Sequence, residues 1–103
     1  MAYNRKVRIE WDPAKERANR AKHGIGFDEV RALFEGDQNY LVIYDEERSD
    51  DEDRFLAIGL IRRGVVVVVH TEPGDDVIRI ISARMATRAE ERLFYQHSGG
   101  RRR

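Results

Sequence analysis

His23 and the arginines Arg79, Arg84 and Arg88 are the side chains of this sequence suited to moving a proton and holding a phosphate. Imidazole titrates near neutrality, and Lys22 stands beside His23 as a further cation. A histidine at a helix C-terminus that only complements the helix dipole is the plainer reading of the same residue. Arg84 comes just before Thr87-x-x-Glu90, a capping box in which the hydroxyl takes the third amide and the carboxylate returns to the cap amide. A helix is therefore predicted to start at Arg88, with Arg88 and Arg92 one turn apart on one face. A helix start among guanidinium groups suits a phosphate, although an arginine ladder solvating an exposed helix fits the same spacing. Trp11 either stacks on a nucleobase or closes an alternating strand as core.

The chemistry open to these groups is narrow. His23, His70 and His97 lie far apart and there is no cysteine, so no metal-binding spacing exists. No G-x-S-x-G, P-loop or dinucleotide fingerprint occurs, and no cofactor is expected. Histidine, lysine, arginine, glutamate and tyrosine together suffice for cleavage of RNA by its own 2′-hydroxyl. A base takes the 2′ proton, an acid protonates the leaving 5′ oxygen, and cations stabilise the crowded phosphoryl charge.

These residues must be positioned by a small set of elements. Val7, Ile9 and Trp11 alternate with Lys6, Arg8 and Glu10, as in a strand over residues 5–11 with one wet face. Asp12-Pro13 starts a helix over 13–23, whose thin apolar stripe is Ala14, Ala18 and Ala21, and Gly24 ends it. Gly26 caps a second helix with Glu29 in the third position, presenting Phe27, Val30, Leu33 and Phe34 and stopping at Gly36. Strands follow at 40–44, 54–61 and 65–71, the last with five valines and so central and covered on both faces. Pro73-Gly74-Asp75-Asp76 turns the chain into Val77–Ser82 and the final helix. The fold class is α+β, in the order β-α-α-β-β-β-β-α: an antiparallel sheet with the helices on one face. Residues 1–97 form one domain, and 98–103 are an expected disordered tail. Leu41, Phe55, Val67, Ile80 and Leu93 join the apolar helix faces as candidate core.

Composition narrows the class further. Nineteen acids balance nineteen Lys and Arg, but seven of the acids fall in Asp45–Asp53 with a single base, Arg48. The rest of the chain, with 12 acids against 18 bases, can offer a positive face to nucleic acid. The acidic block reads as a solvated loop, or a shield over basic neighbours, and lacks the spaced ligands of a calcium loop. There is no apolar run of membrane-spanning length and no secretory h-region, so a cytoplasmic protein without a membrane partner is expected.

Three stretches, WDPAKERANRAKHGIGFDEV (11–30), RFLAIGL (54–60) and VVVVHTEPGDDVIRIISARMATRAEERLFY (66–95), resemble the BrnT toxins. These are the ribonuclease halves of bacterial type II toxin–antitoxin pairs. The resemblance implies a RelE/ParE-like fold, a metal-independent endoribonuclease that arrests translation, and RNA as substrate. It also implies a hetero-oligomer with a BrnA-like ribbon-helix-helix antitoxin, through which alone operator DNA is bound. The family's motif residues fall on Trp11, Lys22, His23, Gly24, Arg79, Ser82, Arg84, Thr87, Glu90 and Tyr95. On this basis His23, Arg79 and Arg84 are the catalytic candidates, with Lys22, Trp11 and Arg88 binding RNA. Met85 replaces a common basic residue, and His70 with Pro73 replaces the usual Tyr and Arg, which either moves an acid–base group into the site or alters a turn. A non-catalytic module whose basic face binds nucleic acid or an acidic protein is the competing function.

Overall fold

The computed structural model describes residues 7–35, 39–48 and 51–98; the expected strand start at Arg5 and Lys6, the helix stop at Gly36 and residues 99–103 of the expected tail lie outside them. In chain order come β1 (Arg8–Trp11), α1 (Pro13–His23), α2 (Phe27–Arg31) running into a 3-10 turn (Ala32–Phe34), β2 (Tyr40–Tyr44), β3 (Arg54–Ile61), β4 (Gly64–Gly74), β5 (Val77–Met85) and α3 (Arg88–His97). The α+β class and the element order are those read from the sequence. A short 3-10 turn, Glu46–Arg48, opens the acidic connection.

The five strands form one sheet in the order β1-β5-β4-β3-β2. Strands β2 to β5 are antiparallel neighbours, but β1 pairs with β5 in parallel, so the sheet is mixed. The helical pair carries the chain from β1 to β2 at the far edge, and the meander returns it to β5 beside β1, a connection long enough for a parallel pairing. Strand β4 also runs through Pro73-Gly74, leaving Asp75-Asp76 as the turn, and a register shift between Thr71 and Gly74 accommodates the extension.

The helices cover both faces, not one. Along β4, Val66 and Val68 point into a core built with Ile25, Phe27, Val30, Leu33 and Phe34 of the helical pair. Val65 and Val67 point the other way, to Ile58 and to Phe94 of α3. Four of the five consecutive valines, Val65 to Val68, are therefore buried on alternate faces of the central strand, as expected of such a run, while Val69 is half-buried. Leu93 departs from its expected burial and is 45% exposed, while its neighbour Phe94 is 5% exposed. One residue is a 100° rotation of α3, enough to exchange core for solvent. Phe94→Ala is accordingly expected to cost about 3–5 kcal/mol of stability in urea unfolding, and Leu93→Ala well under half of that.

Helix α1 corrects the sequence reading most sharply. Ala14, Ala18 and Ala21 are all exposed, and its buried residue is Asn19. Gly59 of β3 explains how closely the 3-10 turn after α2 lies on the sheet, since a Cβ there would sit 2.5 Å from Leu33 Cδ1.

His70 belongs to the core and not to a site. It is 1% exposed, stacked on Phe55 at 5.6 Å and edge-on to Phe34 at 5.2 Å. Neither ring nitrogen has a hydrogen-bond partner, and the Glu72 carboxylate is 3.8 Å from Nδ1. Burial pushes the imidazole down from 6.5 to about 4. The folded protein thus holds His70 neutral where the unfolded chain takes up a proton. The contribution of His70 to stability is full above about pH 6.5, falls as the pH drops towards about 4, and levels off below, by on the order of 3 kcal/mol in all. Urea midpoints measured across that window should show the slope, and His70→Phe should flatten it.

Candidate functional site

The end of α1 that carries Lys22 and His23 is fixed by bonds reaching far along the chain. Asp12 caps the start, accepting from the Ala14 amide at 2.9 Å, and Pro13 takes the first helical position. Gly24 closes the end in the left-handed conformation, φ 72°, donating to Arg20 O at 2.9 Å. Strand β1 stops at Trp11 opposite Ile80, so β5 beyond that point has no strand on this side. Asn19 occupies the gap: Nδ2 donates to Ala83 O at 2.9 Å, and Oδ1 accepts from Ala83 N at 3.0 Å. The side-chain amide thereby supplies the donor and acceptor of an absent strand. A further bond from Nδ2 to Ile25 O at 3.0 Å ties in the loop after α1. From the opposite side Arg63, in the β3–β4 turn, donates to the carbonyl of Gly24 and grips Glu29 through Nε at 2.8 Å.

Between α1 and the open edge of β5 lies a shallow groove of about 270 Å³, lined by Lys15, Ala18, Asn19, Lys22, His23, Ile81 and Ser82. Lys22 and His23 are exposed, and neither Lys15 nor Lys22 has a carboxylate partner among the described residues. The register shift between Val69 and His70 leaves Ile81 as an extra residue, which turns Ser82 into line with Val69.

Arg79 and Arg84 flank Ser82 on the same face. Cross-strand partners share a face, and Thr71, Val69 and Val67 stand opposite Arg79, Ser82 and Arg84 respectively. Both arginines are already engaged. Arg79 pairs with Glu10 at 2.7 Å, and this guanidinium, with help from Arg8, holds the Glu10 carboxyl below its ordinary value. Arg84 makes a bidentate pair with Glu90, at 2.8 and 2.9 Å, and also donates to Met85 O at 3.3 Å. The Arg84 hydrogen bond, against the opposing effect of burial, draws the Glu90 carboxyl down to about 2. Glu90 also closes the expected capping box, accepting from Thr87 N at 2.8 Å while Thr87 Oγ1 accepts from Glu90 N at 3.2 Å. Arg84 is thus the strut between β5 and the start of α3. Its Nε–H and one hydrogen of the second terminal nitrogen keep no partner among the described residues.

Two RNA-binding candidates lie elsewhere. Trp11 is on the opposite face of the sheet, edge-on to Phe27 at 5.7 Å with the Arg31 guanidinium 5.4 Å over its ring. Arg88 lines a separate shallow depression on α3 with Glu91, Arg92 and Tyr95. The structure therefore brings together Lys22 and His23, places Arg79 and Arg84 on the adjoining face, and sets Trp11 apart. Lys15 and Asn19 were missed in the sequence. Their only local signal is the spacing Lys15, Asn19, Lys22, His23, which puts all four on one helical face. Among the described residues no three His, Asp or Glu side chains are placed to hold a metal ion, and no helix is long and apolar enough to cross a membrane.

Residues 11–90, which include the whole lining of the groove with Arg79, Arg84 and Glu90, match the family described as ribonuclease toxin, BrnT, of type II toxin–antitoxin systems. The chain belongs to the BrnT family. The 1.1 Å crystal structure of the Brucella abortus ribonuclease toxin BrnT is similar to it, with 25% identity and a TM-score of 0.59. That match covers 81% of this chain and all of the other. No curated protein sequence matches the chain. BrnT membership makes this a ribonuclease toxin of a type II system, with an antitoxin partner and RNA as substrate.

Proposed function

We propose that the chain is a metal-independent endoribonuclease working at the groove between α1 and β5. The observation that carries this reading is the meeting of His23, Lys22 and Ser82 in one groove beside the face that bears Arg79 and Arg84. The 2′ oxygen of RNA attacks the adjacent phosphorus while His23 takes its proton. The bond to the 5′ oxygen breaks, and that oxygen takes a proton from Lys22 or from water. The products are a 2′,3′-cyclic phosphate and a free 5′-hydroxyl. Lys22 and the unengaged N–H groups of Arg79 and Arg84 stabilise the charge that builds on the phosphoryl oxygens. Arg88 extends RNA binding along α3. Trp11, on the far face, acts through packing in this arrangement.

Cleavage in the cytoplasm arrests translation until a BrnA-like ribbon-helix-helix antitoxin binds, and operator DNA is engaged through that antitoxin. The domain responsible is residues 1–97. Val42 and Tyr44, each 45% exposed, stand on one face of β2, apolar surface that a protein partner would cover. The test is RNA cleavage by the purified chain in EDTA, with and without the product of an adjacent small reading frame. Cleavage should survive EDTA, yield cyclic phosphate ends, and stop at a fixed molar ratio of the partner. RNA binding without cleavage, with and without ribosomes, would favour the non-catalytic module instead.

A further inference from the structure

His23 and Lys22 occupy one end of the α1–β5 groove, and Lys15 stands at the other. Lys15 and Lys22 are two helical turns apart on one face of α1, about 10 Å along the axis. Neither ammonium has a carboxylate partner among the described residues, whereas Arg20, Arg63, Arg79 and Arg84 each have one. Between them the floor is Asn19, 5% exposed, whose two amide hydrogens go to Ile25 O and Ala83 O while its oxygen accepts from Ala83 N. That amide has no donor left for a ligand. Ala18 and Ile81 are apolar, so besides the two lysines only the Ser82 hydroxyl and the His23 ring offer polar atoms, too few to read a run of base edges.

We propose that this groove tracks the RNA backbone, with Lys22 and His23 at the scissile phosphate and Lys15 on a second phosphate of the same strand, without reading a base. The inference rests on the ribonuclease reading above and gives it a substrate class: single-stranded RNA with at least two phosphodiesters. Asn19 is what makes the spacing usable, because its bonds to Ala83 fix the rotation of α1 and hold both lysines over one line.

The test uses the full chain and 2′-O-methyl oligonucleotides, which bind but cannot supply the attacking hydroxyl. Dissociation constants for one, two and three phosphodiesters are measured from low to high salt. Each phosphate neutralised on a single strand contributes about −0.7 to the slope of log affinity against log salt. Lys15→Gln should reduce the slope by about that amount and remove the affinity gained from the second phosphodiester, equally for all base sequences. Lys15 is exposed, so the variant should melt as the wild type does. An unchanged slope in the folded variant overturns the proposal, as does a loss confined to one base sequence. Cleavage of the matching 2′-hydroxyl oligonucleotides is scored separately. A wild type that shows the Lys15-dependent slope yet never cleaves sinks the ribonuclease reading and leaves the phosphate track standing. Cleavage with a slope indifferent to Lys15 does the reverse.

Discussion

His23→Ala is expected to lower the rate of RNA cleavage about 100- to 10,000-fold, the range of a positioned general base or acid. The loss should fall on kcat, because a proton moves only in the transition state. His23 is exposed in the last turn of α1, held by backbone bonds at Gly24 and by Arg63 rather than by its own ring. The variant is therefore expected to keep its fold. Growth arrest on induction should vanish while the antitoxin is still captured by the folded variant. Cleavage at the wild-type rate by folded His23→Ala would remove this residue from the chemistry.

Signals that act within a few residues were legible in the sequence. Asp12-Pro13 and Gly24 bound α1 at the residues expected, and Thr87 with Glu90 sets the start of α3. The valine run of β4 likewise announced a strand buried on both faces. Each of these depends on a cap or a side-chain period that the local chain already contains.

What stayed hidden depends on partners distant in sequence. Asn19 looks like an interruption of an alanine stripe until Ala83, 64 residues on, is seen at the sheet edge. The parallel pairing of β1 with β5 and the placing of α3 on the second face follow from how the whole sheet is covered. No periodicity encodes either. His70 stays out of the α1–β5 groove, because its side chain falls on the core face of β4 against Phe34 and Phe55. Arg84 and Glu90 were both legible as parts of a helix start, but not as each other's partner. That pairing changes what a substitution at Arg84 must be expected to do.

Arg84→Ala should lower cleavage about 100- to 1,000-fold, the usual effect of removing one charge-stabilising donor. It should also destabilise the fold, which an unpaired arginine would not do. The Arg84 side chain is 37% exposed and that of Glu90 21%, so the pair stands between a surface and a buried bridge, and about 1–3 kcal/mol is expected. The Glu90 carboxyl sits at about 2 in the folded protein, well below its ordinary value. The pair's contribution is therefore complete above about pH 4.5 and is lost as the pH falls towards 2. In Arg84→Ala most of that acid-dependent loss should disappear. Glu90→Gln separates the strut from the chemistry, since glutamine can still serve the capping box but no longer holds the guanidinium as an ion pair. If Arg84 reaches the phosphate, Glu90→Gln frees its donors and keeps RNA affinity at or above that of the wild type, while Arg84→Ala loses both affinity and rate. Should both variants instead lose rate in proportion to their melting temperatures, Arg84 is the anchor of α3 alone, and the phosphoryl charge must be carried by Arg79 and Lys22.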